Sequence, residues 1–170
     1  VGKSGVVADI GEGGKMVAIR ADMDALPILE MNEAEYVSQN NGAMHACGHD
    51  SHTAMALGAA LLLSKEKLLG RVRFLFQPCE ETVDEEGKSG AQRMSDEGAM
   101  QGVDYVIAQH VDPSKPVGTI SISAGPSSGG VDSWHAIIRG KGGHGAHPDK
   151  TIDPFYLTAH VIIALNAIIS

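Results

Sequence analysis

Three stretches of the chain, residues 15–21, 71–77 and 102–108, carry short apolar runs bounded by turn residues, and each reads as a β-strand. Residues 1–14 alternate small apolar residues with glycines, which predicts a strand, a hairpin and an exposed loop. Residues 53–63 are rich in Ala and Leu around Gly58, which predicts a helix packed closely on a sheet, with Asp50 and Ser51 as its caps. Residues 89–97 read as a second helix closed by Gly98, and residues 28–43 are polar and aperiodic, as a surface loop is. The expected fold class is α/β.

From about Pro116 the texture changes. Residues 117–124 alternate as a half-buried antiparallel strand does, residues 125–130 are a Gly/Ser-rich candidate hinge, and residues 132–139 read as another strand. A glycine-rich stretch, 140–148, precedes a helix from about Asp153 to Ile169 with Pro154 in its first turn. This β-β-α pattern predicts the start of a smaller α+β domain, giving domains at 1–115 and 116–170. The chain opens at Val1 in mid-pattern and stops at Ser170 on an apolar helical run, as a piece of a longer protein would.

Composition narrows the function classes. A formal net charge of −8 over 170 residues argues against a nucleic-acid footprint. Two cysteines are too few for a disulfide framework, which favours reduced thiols and a cytoplasmic setting. The longest apolar stretches, 54–63 and 161–169, are too short or too interrupted to span a bilayer, so no membrane partner is expected.

The candidate chemistry centres on Met44-His45-Ala46-Cys47-Gly48-His49-Asp50. A thiol and an imidazole separated by one glycine suit a zinc-type ion, although such a triplet alone is a weak signal. Asp22 and Asp24 share one side of a strand end, either for a cation or as an Asx-type turn before Pro27. Glu80 and Glu81 are adjacent at the end of the second apolar strand and therefore project differently. One can ligate a metal while the other reaches the water it activates. His110 follows the third strand. Four segments thus bring donors to the carboxyl edge of one sheet, where sites form in open α/β folds. His52, His135 and His160 read as satisfied core or interface residues, His45 as a group tuning the thiol loop, and Cys79 as a small hydrophobe.

The chain resembles the metallo-aminoacylase and carboxypeptidase family, in particular its hippurate hydrolase and auxin-conjugate amidohydrolase branch. The resemblance rests on five motifs in order: Ala18 to Pro27 (AIRADMDALP), Met44 to Asp50 (MHACGHD), Phe76 to Glu81 (FQPCEE), Gln109-His110-Val111, and Gly140 to Ala146 (GKGGHGA). It implies a two-metal peptidase catalytic domain followed by a lid and dimerisation domain, with N-acyl amino acids or short peptides as substrates. Two divalent ions, Zn2+ or else Mn2+, Co2+ or Ni2+, would be held by Cys47, His49, Glu81 and His110. Glu80 would be the general base, His144 the oxyanion stabiliser and Asp24 a support behind the metal site. Asp22 falls where relatives outside this branch carry a metal-binding His. The resemblance also implies a homodimer through the smaller domain, and a family pattern that continues past Ser170 with a further His ligand. Two rival readings remain: a hydrolase using Cys47 as nucleophile, and a metal-binding module without catalysis.

Overall fold

The computed structural model describes residues 1–126, 129–130 and 133–169. The chain divides into two compact units, Val1–Thr119 and Ile120–Ser170.

The first unit is a four-stranded sheet with a helix on each face. Its elements are β1 (Val6–Ile10), β2 (Met16–Asp22), α1 (His49–Leu63), β3 (Arg71–Gln77), α2 (Gly90–Asp96) and β4 (Tyr105–Ala108). The strand order is β1-β3-β2-β4. β2 runs parallel to both β3 and β4, and β1 is antiparallel to β3. The expected hairpin between the first two strands is therefore absent. β3 lies between them, because the apolar residues of β1 find their partners across β3, from Val6 opposite Phe76 to Ile10 opposite Val72.

Side chains alternate across the sheet, and each face has its own helix. Ala21, Phe74 and Ala56 of α1 form one buried cluster, joined by Ile10, Ile19, Val72 and Phe76. Ala18, Leu75, Met94 of α2 and Ala99 form the other, joined by Val7 and Val103. The connections leaving β2 and β3 go to opposite faces of the sheet, so a crevice opens between the carboxyl ends of these neighbouring strands.

Helix α1 begins earlier than its composition suggests. Its N-cap is Gly48 in the left-handed region at φ 84°, with no side-chain cap, so Asp50 and Ser51 already lie inside the helix. The glycine supplies the sharp turn that a polar cap would otherwise mark. His49, His52 and Ala56 are the buried residues of this helix and share one stripe of it. α2 follows expectation more closely: Ser89 Oγ accepts the Gln92 N–H at 3.2 Å, and Gly98 takes φ 87° behind the helix.

In the second unit the expected helix is present as α3 (Pro154–Ile169), preceded by a single 3-10 turn (Pro148–Lys150). Asp153 Oδ1 accepts the Phe155 N–H at 2.8 Å at its start. The two expected strands do not form among the described residues, where the unit's β pairing is the bridge between Lys141 and Ile152. Alternation alone does not make a strand. Ile120 and Ile122 are 86% and 93% exposed, and no neighbouring strand among the described residues covers them. Ser127 and Ser128 of the expected hinge, and Val131 and Asp132 at the second strand's start, lie outside the described residues.

Candidate metal centre

Parallel pairing brings the ends of β2, β3 and β4 to one edge. The register places Asp22 beside Gln77 and Arg20 beside Ala108, so the residues just past each strand emerge together at the N-terminus of α1. Asp24, Glu80, Glu81 and His110 arrive there by this route, and Cys47 and His49 meet them from the start of α1 itself.

His49 is the hub. It is fully buried, and its Nδ1 lies 3.0 Å from Asp24 Oδ1 and 3.1 Å from the Asp24 carbonyl oxygen. With Nδ1–H donated to Asp24, the neutral ring presents the Nε2 lone pair to the crevice. That nitrogen has no hydrogen-bond partner, and neither does the buried Glu81 Oε1 facing it at 3.6 Å. Glu80 Oε2 stands 4.0 Å from the same nitrogen, on a side chain 39% exposed. A second donor pair adjoins the first: Cys47 Sγ and His110 Nε2 are 3.4 Å apart. His110 Nδ1 donates to the Val111 carbonyl at 2.7 Å, which turns its Nε2 toward the thiol.

Asp24 ties the two sides together. Its Oδ2 accepts the amide protons of Glu80 at 2.8 Å and Glu81 at 3.0 Å, while Oδ1 orients His49. The turn carrying the glutamates is constrained as well. Cys79 has a left-handed φ of 52°, and its Sγ contacts the Thr82 carbonyl at 3.4 Å. A left-handed φ at a non-glycine residue is uncommon and is held by surrounding structure.

Charge shapes the thiol and the buried aspartate. The hydrogen-bonded Glu81 carboxylate, burial, and the charges of Glu81, Glu80 and Asp22 push the Cys47 thiol up to about 11. Burial raises the Asp22 carboxyl, but the hydrogen bond from His52 and the charges of Arg20, His49 and His52 outweigh it. Asp22 therefore stays below the ordinary range. Arg20 Nη1 approaches Asp22 Oδ2 to 2.6 Å as an ion pair outside hydrogen-bonding geometry.

The donor set fits a divalent cation. Ligand atoms of one tetrahedral zinc lie about 3.3–3.8 Å apart, given bond lengths of about 2.0–2.3 Å. The 3.6 Å and 3.4 Å pairs fall in that range. Cys47, His49 and His110 place one atom each within 4.8 Å of the others, as do His49, Glu80 and Glu81. Two buried acceptors left without protein partners are costly unless a cation satisfies them.

All six expected residues of the first unit thus meet at one crevice. His144 lies in the second unit, on an exposed turn where its Nδ1 accepts the Ala146 N–H at 3.1 Å. His52, read from sequence as a core residue, is fully buried with both ring nitrogens engaged, yet it borders the donors: its ring centroid is 4.6 Å from that of His110 and 5.3 Å from that of His49. The spacing of His49 and His52 would have revealed this, since residues three apart share a helix face.

The model of the peptidase family M20/M25/M40 matches residues 18–166. The chain belongs to that family. It is 42% identical over 172 aligned positions to an N-acetylcysteine deacetylase of Bacillus subtilis, covering 99% of this chain and 44% of that one. It is 48% identical over 159 positions to an N-acyl-L-amino acid amidohydrolase of Geobacillus stearothermophilus, covering 92% and 42%. Among solved structures it matches a dinuclear metal-binding M20 peptidase of Bacillus subtilis with a TM-score of 0.67 and 45% identity, over 73% of this chain and 35% of that one. The chain therefore spans about two fifths of the length of these curated M20 relatives. No helix among the described residues is long and apolar enough to cross a membrane.

Proposed function

We propose that this chain carries the metal-binding part of a two-metal amidohydrolase that cleaves N-acyl amino acids or short peptides. Cys47, His49, Glu81 and His110 would hold the ions, with zinc favoured by a thiolate, two imidazoles and a carboxylate. The observation that carries the reading is the pair of buried, partnerless acceptors, His49 Nε2 and Glu81 Oε1, facing each other 3.6 Å apart. It is supported by family membership and by relatives named as deacetylases and amidohydrolases.

Divalent ions bound there supply Lewis acidity, which brings a water toward ionisation near neutral pH and polarises a carbonyl. The chain's own groups do the rest. Glu80, more exposed than Glu81 and held by the same aspartate through its N–H, takes the proton of the attacking water and delivers it to the leaving amine. Asp24 keeps the His49 lone pair aimed into the crevice. His144, from the second unit, is assigned to the developing oxyanion. The second unit is assigned the lid and dimer contact, which makes the active assembly a homodimer.

The thiol-nucleophile alternative is not favoured. A nucleophilic cysteine needs a lowered pKa, whereas three carboxylates hold the Cys47 thiol up at about 11. Assaying the protein on N-acyl amino acids with and without a chelator, beside Glu80→Gln, tests the proposal. Chelation should abolish turnover, and Glu80→Gln should lose about 10²–10⁴-fold in rate with metal content unchanged. Turnover that survives chelation, or is unaltered in Glu80→Gln, overturns it.

A further inference from the structure

We propose that the buried Asp22–His52 pair positions the His110 donor: it pins the Val111 N–H and thereby fixes the neighbouring imidazole opposite Cys47. The inference rests on the two-metal reading. The β2–β4 ladder ends at Arg20 and Ala108, so His110 and Val111 lie beyond the last pair of the sheet. His52 holds the second of them by its main chain. Its fully buried ring donates from Nδ1 to Asp22 Oδ1 and accepts the Val111 N–H at Nε2 over 2.9 Å.

Both ring nitrogens are used in this way. His52 is therefore the neutral Nδ1–H tautomer, with no lone pair left for a cation. This matters because Asp22, His49 and His52 place one donor atom each within 4.8 Å of the others, which on distance alone would make a metal triad. Val111 is also held from its other side: a Cβ built on Gly48 would lie 2.5 Å from Val111 Cγ2. Val111 thus sits between the helix that begins at His49 and the turn that carries Cys47. His110 is left little freedom, with Nδ1 on the Val111 carbonyl at 2.7 Å and Nε2 3.4 Å from Cys47 Sγ. A carboxylate–imidazole pair taken wholly out of water is a weak source of net stability. A positioning role accounts for its place here, exerted through the Val111 N–H and through the edge contact of its ring with that of His110, whose centroid lies 4.6 Å away.

The test is a Co2+ titration of the metal-free protein, read by visible absorption, in which a thiolate-to-cobalt band reports Cys47. The substitutions divide the two functions of the ring. His52→Asn keeps a donor toward Asp22 but offers Val111 no acceptor, and His52→Gln reaches Val111 but releases Asp22. The wild type should bind two ions with the thiolate band. His52→Asn should bind two ions about 10–100-fold more weakly, and His52→Gln should recover most of that loss. Unchanged affinity in folded His52→Asn overturns the proposal and leaves a core-filling residue. Loss of one ion at saturation in both variants also overturns it, by making His52 a ligand. A wild type that binds no Co2+ overturns the two-metal reading and this inference with it. The tautomer is measurable without any substitution: 15N–1H correlation of the metal-free wild type should show His52 protonated at Nδ1, and an Nε2–H ring would contradict the proposal.

Discussion

Asp24 Oδ1 lies 3.0 Å from His49 Nδ1, joining the end of β2 to the start of α1, while its other oxygen receives the amide protons that follow β3. One carboxylate thus fixes three things: the tautomer of a buried imidazole, the direction of its free lone pair, and the backbone from which two glutamates project. Replacing it leaves the amide protons of Glu80 and Glu81 without their acceptor and the His49 Nδ1–H with the Asp24 carbonyl oxygen alone, 3.1 Å away. Asp24→Ala should cost on the order of 2–4 kcal/mol in urea unfolding and weaken metal binding about 10–100-fold. Full metal affinity in Asp24→Ala would remove the aspartate from the site.

Cys47 should be a slow nucleophile until a cation displaces its proton. With the thiol pushed up to about 11, the thiolate fraction at neutral pH is roughly 100-fold below that of an unperturbed cysteine. Iodoacetamide should label Cys47 in the metal-free protein far more slowly than in the urea-unfolded chain, with the rate rising as pH approaches 11. Labelling at the unfolded rate near pH 7 would show that the carboxylates do not surround the thiol.

The loop after Glu81 is tied down away from the site, by Asp84. Arg93 hydrogen-bonds its carboxyl, the Glu86 and Lys88 N–H groups donate to Oδ1 at 2.9 and 3.2 Å, and Lys3 lies 3.3 Å away. The Arg93 hydrogen bond foremost, opposed by burial and joined by the Lys88 and Glu86 amides and Lys3, holds this carboxyl well below the usual carboxylate range. Because the folded value lies below the unfolded one, the stabilisation is complete above about pH 4 and fades as pH falls toward the folded value. Asp84→Asn should therefore flatten the decline of the urea midpoint between about pH 4 and pH 2 relative to wild type. Identical slopes would mean that Asp84 is not specifically held.

Two glycines in helices should respond oppositely to alanine. Gly90 donates its N–H to the Cys79 carbonyl at 3.0 Å, and a Cβ built on it would lie 1.6 Å from the Pro78 oxygen. Gly90→Ala must displace the turn that carries Glu80 and Glu81, at a cost on the order of 2–4 kcal/mol. Gly58 of α1 has nothing within 4 Å of such a Cβ. Gly58→Ala should stabilise by about 0.5–1 kcal/mol through helix propensity. Thermal or urea unfolding of the two variants, run side by side, checks the contrast.

What the sequence revealed follows its periodicities. β3 and α3 stand where continuous apolar runs and caps announce them, because local pattern suffices for both. The order β1-β3-β2-β4 was not legible, since pairing is chosen between segments some sixty residues apart, and the glycines of residues 11–14 suggest a hairpin that the sheet does not contain. Residues 117–124 show that alternation needs a partner strand before it becomes structure. At the site, the gathering of Cys47, His49, Glu80, Glu81 and His110 followed from the ends of two strands and the start of one helix. His52 is the satisfied core residue that its apolar neighbours indicate, but its place beside His49 was hidden, because Gly48 starts the helix without a polar cap. The Asp24 clamp was equally hidden, because two of its three partners are main-chain amides that carry no residue signature.

The most direct measurement is an anomalous-scattering crystal structure of the zinc-loaded protein, which locates the ions independently of any model of the side chains. Two peaks are expected at the α1 end of the crevice, with Cys47, His49, Glu81 and His110 at bonding distances of about 2.0–2.3 Å and His52 still bridging Asp22 to Val111. Ions bound elsewhere, or a crevice without metal under zinc saturation, would contradict the account.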